Sequence, residues 1–205
     1  RDAAAAAVLR EGIAGARPRA LRRLGDAAIE LGQDDIVAAI AAALGGGSGD
    51  DGSSAVDGAL FEAAYLRRQN REPDAVRRLL GARAAARSAQ DRLRLAEQLE
   101  SLGQLGEATE LYKAIWAESR TEDIGMRLGW LLGESKHAAD REQAQQIFRQ
   151  VWTSAGSAAR RVQAEERVLD LAAREGTLAD LAIELEAQLA EPTTPNCLVV
   201  VYAMF

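Results

Sequence analysis

Few residues in this chain could carry covalent or metal chemistry, and their settings limit each of them. The single histidine, His137, stands in a polar turn between Lys136 and Ala138. One imidazole cannot form a two-histidine metal site, and no cysteine or carboxylate falls at a regular ligand spacing from it. His137 therefore reads as an exposed loop residue. The single cysteine, Cys197, excludes an internal disulfide and a cysteine-cluster zinc site. Its neighbours supply no cation to activate a thiolate, so it reads as a small apolar residue of a last helix. The segment Gly45 to Ser54 is rich in glycine, serine and aspartate. A phosphate loop would need a preceding strand and a terminal Gly-Lys-Ser/Thr, and this segment has no lysine. Gly46 to Ser54 does match the opening of a calcium-binding nonapeptide. Those sites need tandem copies and an aliphatic residue where Ser53 stands, so a flexible linker over 45–54 is expected. The sequence thus predicts no catalytic residue, no metal site and no cofactor.

Residues suited to binding are better represented. Trp116 and Trp152 follow Ile115 and Val151 at equivalent places in two predicted helices, which reads as core packing. Trp130 differs, because it directly follows the packing pair Leu128-Gly129. Net charge is −6, from 25 Lys+Arg against 31 Asp+Glu, which argues against a dedicated nucleic-acid binder. The basic residues are almost all arginine, with lysine only at 113 and 136. That bias reads as the habit of an Arg- and Ala-rich proteome rather than as selection for bidentate contacts. Arg17, Arg19, Arg22 and Arg23 form a local cluster that reads as a solvated helix start.

The elements that must position these residues are helices. Alanine, the best helix former, dominates the 48% hydrophobic content, and alternating strand patterns are absent. Glycine, proline and polar clusters cut the chain into helices near 2–15, 19–31, 34–44, 55–69, 73–86, 89–102, 105–118, 122–134, 139–154, 158–174, 178–190 and 196–205. Ser54/Asp57, Ser88/Asp91 and Thr177/Asp180 have the spacing of helix-start capping pairs. No stretch reaches the roughly 20 apolar residues of a membrane span, and Cys197 to Phe205 is too short. The chain opens on Arg1 and stops within an apolar run, so it reads as a piece of a longer protein. Its cysteine usage is compatible with the cytoplasm and leaves a secreted compartment open.

Aligning the turns exposes a repeat. Around Gly103 the pattern is Leu95-Ala96, Leu99, Gly103, Ala108, Tyr112. Around Gly32 it is Leu24-Gly25, Ala28, Gly32, Val37, Ala41. Asn70 and Gly176 centre looser copies, and a further copy at Leu128-Gly129 reaches Ala144 and Phe148 through about three extra residues. Gly or Asn at the turn suits a left-handed residue closing the first helix. This spacing resembles the tetratricopeptide repeat (TPR) family, whose helix–turn–helix unit is about 34 residues. The likeness is greatest at Gly103 to Ala108 and least near 129–148. The aromatic usual at the start of the first helix and the proline usual after the second are missing. A generic α-solenoid shares the remaining pattern.

The resemblance implies an all-α, right-handed α-α superhelix of about five helix–turn–helix units, spanning 1–205 as one array. It implies a concave groove lined by first helices, here by Arg19, Arg22, Asp26, Arg67, Arg68, Leu93, Glu97, Glu100, Met126, Trp130, Glu166, Asp170 and Arg174. The Lys and Asn with which some TPR modules grip a peptide carboxylate are not at the matching positions. The expected role is a non-enzymatic scaffold taking a peptide or protein partner in that groove. Two other roles fit the same features. One is a regulatory or substrate-docking array in a larger enzyme whose catalytic domain lies outside this chain. The other is a structural spacer or oligomerisation segment. The sequence leaves the oligomeric state open.

Overall fold

A computed structural model describes residues 2–46 and 53–190, and every regular element in them is helical. Eleven α-helices occur among the described residues: α1 (Asp2–Ile13), α2 (Pro18–Glu30), α3 (Asp34–Gly45), α4 (Ser53–Arg68), α5 (Glu72–Ala82), α6 (Ala89–Ser101), α7 (Leu105–Glu118), α8 (Glu122–Gly133), α9 (Ala138–Ser154), α10 (Ala158–Glu175) and α11 (Leu178–Ala190). The expected last helix near 196–205, with Cys197, lies outside the described residues. So does most of the expected linker, since α3 runs into Gly45 and α4 opens at Ser53. Each helix packs on its neighbours in sequence order, as in α3 on α4, α4 on α5, α8 on α9 and α9 on α10. The chain divides within α7 into two compact units, one ending at Leu111 and one beginning at Tyr112.

Helices α2, α4, α6, α8 and α10 are the first members of successive pairs, and their starts recur about every 35 residues. Four of the turns that follow them share one hydrogen-bonding plan. At Gly103 the Gln104 amide donates to Leu99 O at 2.9 Å and the Gly103 amide donates to Glu100 O at 2.9 Å. The same two bonds form at Gly32, Asn70 and Gly176. Each central residue has a positive φ, from 57° at Asn70 to 72° at Gly103 and Gly176. This is the motif that satisfies the last carbonyls of a helix, and it requires a residue tolerant of left-handed backbone.

The α8–α9 connection is built differently. Ser135 Oγ donates to Asp140 Oδ2 at 2.6 Å, the His137 amide donates to Ser135 Oγ at 3.2 Å, and Arg141 Nη1 donates to Ser135 O at 3.0 Å. The extra residues of this turn thus form a side-chain-locked polar corner. His137 is exposed, directly before α9.

Alanine and glycine set how closely the helices approach. Ala28, Ala75, Ala96, Ala108, Ala144, Ala164 and Ala172 are completely buried. In the first unit, Leu21 and Ala28 of α2 pack with Ile36, Val37, Ile40 and Leu44 of α3 and with Tyr65 of α4. In the second, a β-carbon on Gly129 would come 2.7 Å from the ring of Phe148 in α9. One on Gly125 would come 2.8 Å from the ring of Trp116, so that half-buried indole fills the space which glycine leaves at the start of α8. Trp152 is 4% exposed, in the core position its spacing predicts.

Two details depart from expectation and one meets it. Helix α5 ends at Ala82 and tightens into a 3-10 turn over Arg83–Ala85, a common way to finish a helix. Ser88 caps α6, accepting from the Asp91 amide at 3.1 Å. Ser54 and Asp57 form no such cap: both lie inside α4, and the Asp57 carboxylate is taken by arginines of neighbouring helices.

Candidate interaction surface

Residues three or four apart on a helix share a face, so each first helix presents one stripe away from its buried side. In the first unit these stripes are joined by arginine. Arg22 of α2 donates to Asp57 Oδ1 of α4 at 2.8 Å, and Arg94 of α6 bonds the same oxygen from the other side. One carboxylate therefore ties three consecutive first helices. Arg67 of α4 reaches α6 as well, donating through Nη1 to Ser101 Oγ at 3.2 Å and to Gln98 Oε1 at 3.5 Å. Arg19, Arg68, Asp26 and Glu97 are exposed, whereas Leu93 and Glu100 are half-buried and Glu100 has interactions of its own.

In the second unit the outer stripe of α8 comprises Asp123, Met126 and Trp130, and Glu134, the residue that caps the helix, continues it. Trp130 is 42% exposed, in contrast to Trp152. The carboxylates at the two ends of the stripe are bound by α10: Arg160 pairs with Asp123, and Arg174 approaches Glu134 Oε1 at 3.4 Å while holding Asp170 at 2.6 Å. Met126 and Trp130 thus form an apolar step between two ion pairs. Glu166, also on α10, is exposed. Next to it Glu165 is half-buried; burial first, and the Glu166 charge second, push its pKa above the ordinary carboxylate value.

Of the residues expected on an inner face, Arg19, Arg22, Arg67, Arg68, Glu97 and Glu100 belong to the first unit, and Met126, Trp130, Asp170 and Arg174 to the second. Their partners Asp57, Gln98, Ser101 and Glu134 were not expected. Their signal was present in the sequence as arginine and carboxylate about one repeat apart, separated by 35 residues for Arg22 and Asp57 and by 37 for Arg94 and Asp57. The same period joins Arg141 to Glu175 and Arg149 to Glu184. The arginines read as compositional therefore share a use, spanning neighbouring helices.

A second recurrence is local. Arg92, Arg141 and Arg161, each the fourth residue of its helix, fold back to the carbonyl six residues earlier, on Ala86, Ser135 and Ala155. They satisfy acceptors that the end of one element or its turn leaves open.

A cleft of about 510 Å³ opens among α3, α4 and α5, with Asp34, Glu62, Tyr65, Arg71, Asp74 and Arg78 in its lining. Tyr65 is 7% exposed, donates to Asp34 and accepts from Gln69 Nε2 at 3.3 Å. Burial and the Asp34 carboxylate push the phenol pKa up. Arg71 and Arg77 share Asp74, which holds that carboxyl below its usual range, and Arg78 pairs with Glu62. Acids and bases balance in this cleft. Among the described residues no group of His, Cys, Asp and Glu is arranged to hold a metal, and no helix is long and apolar enough to cross a membrane.

Set against protein-family models, curated proteins and solved structures, the chain matches none of them. The class defined here is structural: among the described residues, an all-α protein whose helices pack on their neighbours in sequence order.

Proposed function

We propose that this chain is a non-enzymatic protein–protein interaction scaffold of the TPR-like kind, a right-handed superhelical array that takes a peptide or protein partner on its first-helix faces. Sequential hairpins, recurrent left-handed turns and a repeat near 35 residues support the architecture. Trp130 carries the functional reading. A large indole left 42% exposed between two inter-helix ion pairs is costly to keep wet and well suited to anchor a partner side chain. The ion pairs fix α10 beside it, so docking needs little reordering. The net charge of −6 favours protein over nucleic acid as the partner class.

The test is quantitative affinity capture with the wild-type chain, Trp130→Ala and Arg67→Glu, reading the recovery of each retained protein. A partner of the first-helix surface should be depleted roughly tenfold or more by at least one substitution, as truncation of an anchoring residue predicts. Equal recovery on all three baits overturns the reading.

A further inference from the structure

We propose that Arg67, with Arg68 beside it, anchors a carboxylate side chain of an acidic partner segment. This rests on the scaffold reading above and names the partner's chemistry at one place in the first unit. One bridge between first helices of the first unit lacks its acid. Among the bridges between consecutive first helices described above, Arg22 and Arg94 end on Asp57, Arg160 on Asp123 and Arg174 on Glu134. Arg67 makes the same reach from α4 to α6, but it ends on an amide oxygen and a hydroxyl, at 3.5 and 3.2 Å.

Those contacts orient the guanidinium without neutralising it, and they leave most of its five donors available. Arg68, the next residue and the last of α4, is exposed and adds a second cation. The partial negative charge at the end of α4 offsets only about half of one elementary charge. Glu97 and Glu100 each sit one position before Gln98 and Ser101, turned about a quarter of the way round α6 from the side that meets Arg67. A carboxylate approaching Arg67 from solvent would therefore meet a half-buried guanidinium already held by α6 through one nitrogen, with donors left for the charge-assisted bonds that arginine makes most strongly. The chain's own negative charge disfavours a long polyanion, so the fitting partner is a short segment with a few Asp or Glu residues among neutral ones.

One substitution separates this idea from a merely structural role for Arg67. Gln98→Glu would supply the missing carboxylate within the chain, occupying Arg67 without removing it. Binding is read by fluorescence anisotropy at low salt with a labelled Gly/Ser peptide carrying a few glutamates, its all-serine counterpart and inorganic phosphate as competitor. The full chain is used as wild type, Arg67→Gln, Gln98→Glu and, as a charge-matched control in the second unit, Arg167→Gln. The glutamate peptide should bind more tightly than the serine peptide. Arg67→Gln and Gln98→Glu should each weaken it about tenfold, the loss expected for one charge-assisted contact. Arg167→Gln should not, and Gln98→Glu should melt no lower than wild type, which excludes misfolding as the cause.

Equal binding by wild type and Gln98→Glu overturns the proposal. So does equal binding of the two peptides, or displacement by phosphate as effective as by excess unlabelled glutamate peptide. If Trp130→Ala abolishes partner capture while Gln98→Glu changes nothing, the acidic anchor fails and the scaffold reading stands.

Discussion

At Gly58 a β-carbon would lie 2.6 Å from the carbonyl oxygen of Ala41 and 2.9 Å from the amide nitrogen of Gly45, both backbone atoms of α3. Backbone cannot swing aside as a side-chain tip can, so Gly58→Ala should lose about 1–3 kcal/mol in urea melts. A β-carbon on Gly81, in α5, would meet nothing within 4 Å, and Gly81→Ala should gain about 0.4–1 kcal/mol by stiffening the unfolded chain. Glu165 tests the electrostatics. Its pKa is raised in the fold, so its contribution is favourable below the ordinary carboxylate pKa, near 4.3, and is lost as pH rises through the raised value. Glu165→Gln should accordingly raise Tm at pH 7, and that advantage should vanish below about pH 4. Asp35 and Glu175 behave oppositely, because Arg10 and Arg141 hold their pKa values down. Their stabilisation is present above the ordinary value and lost as pH falls through the lowered one. At this scale the sequence separated Trp152 from Trp130 by register alone. It misplaced Asp57, because a serine three residues before a carboxylate looks the same whether the pair caps a helix or lies within one.

Helix boundaries were legible wherever the backbone itself demanded a residue type. Gly32, Asn70, Gly103 and Gly176 mark their turns because few other residues accept a positive φ cheaply. Gly103→Ala should therefore cost about 1–2 kcal/mol by thermal melting, although no atom lies near enough to clash with the new methyl. The α8–α9 corner was harder to read, since Ser135, Asp140 and Arg141 make it with side chains whose pairing depends on three-dimensional placement. The fold-back arginines at 92, 141 and 161 escaped notice for a similar reason. A single arginine in a first helical turn, near the positive end of the dipole, looks unfavourable until the carbonyl it reaches is known.

Across the whole molecule, the all-helical class and the sequential packing followed from composition and periodicity. The cross-links between helices did not, because an arginine and a carboxylate 35 residues apart become neighbours only once the hairpins stack. Most of these pairs are partly exposed, and each contributes from nothing to about 1 kcal/mol, screened by salt. Raising the ionic strength toward about 1 M with sodium chloride should lower Tm by a few degrees while far-ultraviolet circular dichroism stays helical; a Tm indifferent to salt would show that the pairs contribute little. The shared carboxylate at Asp57 also bears on how such a chain can gain or lose a hairpin. Excision of α4 and α5 would set the guanidiniums of Arg22 and Arg94 against each other with no acid between them. A shortened protein joining α3 to α6 should melt slightly higher when one of the two arginines is replaced by an acid.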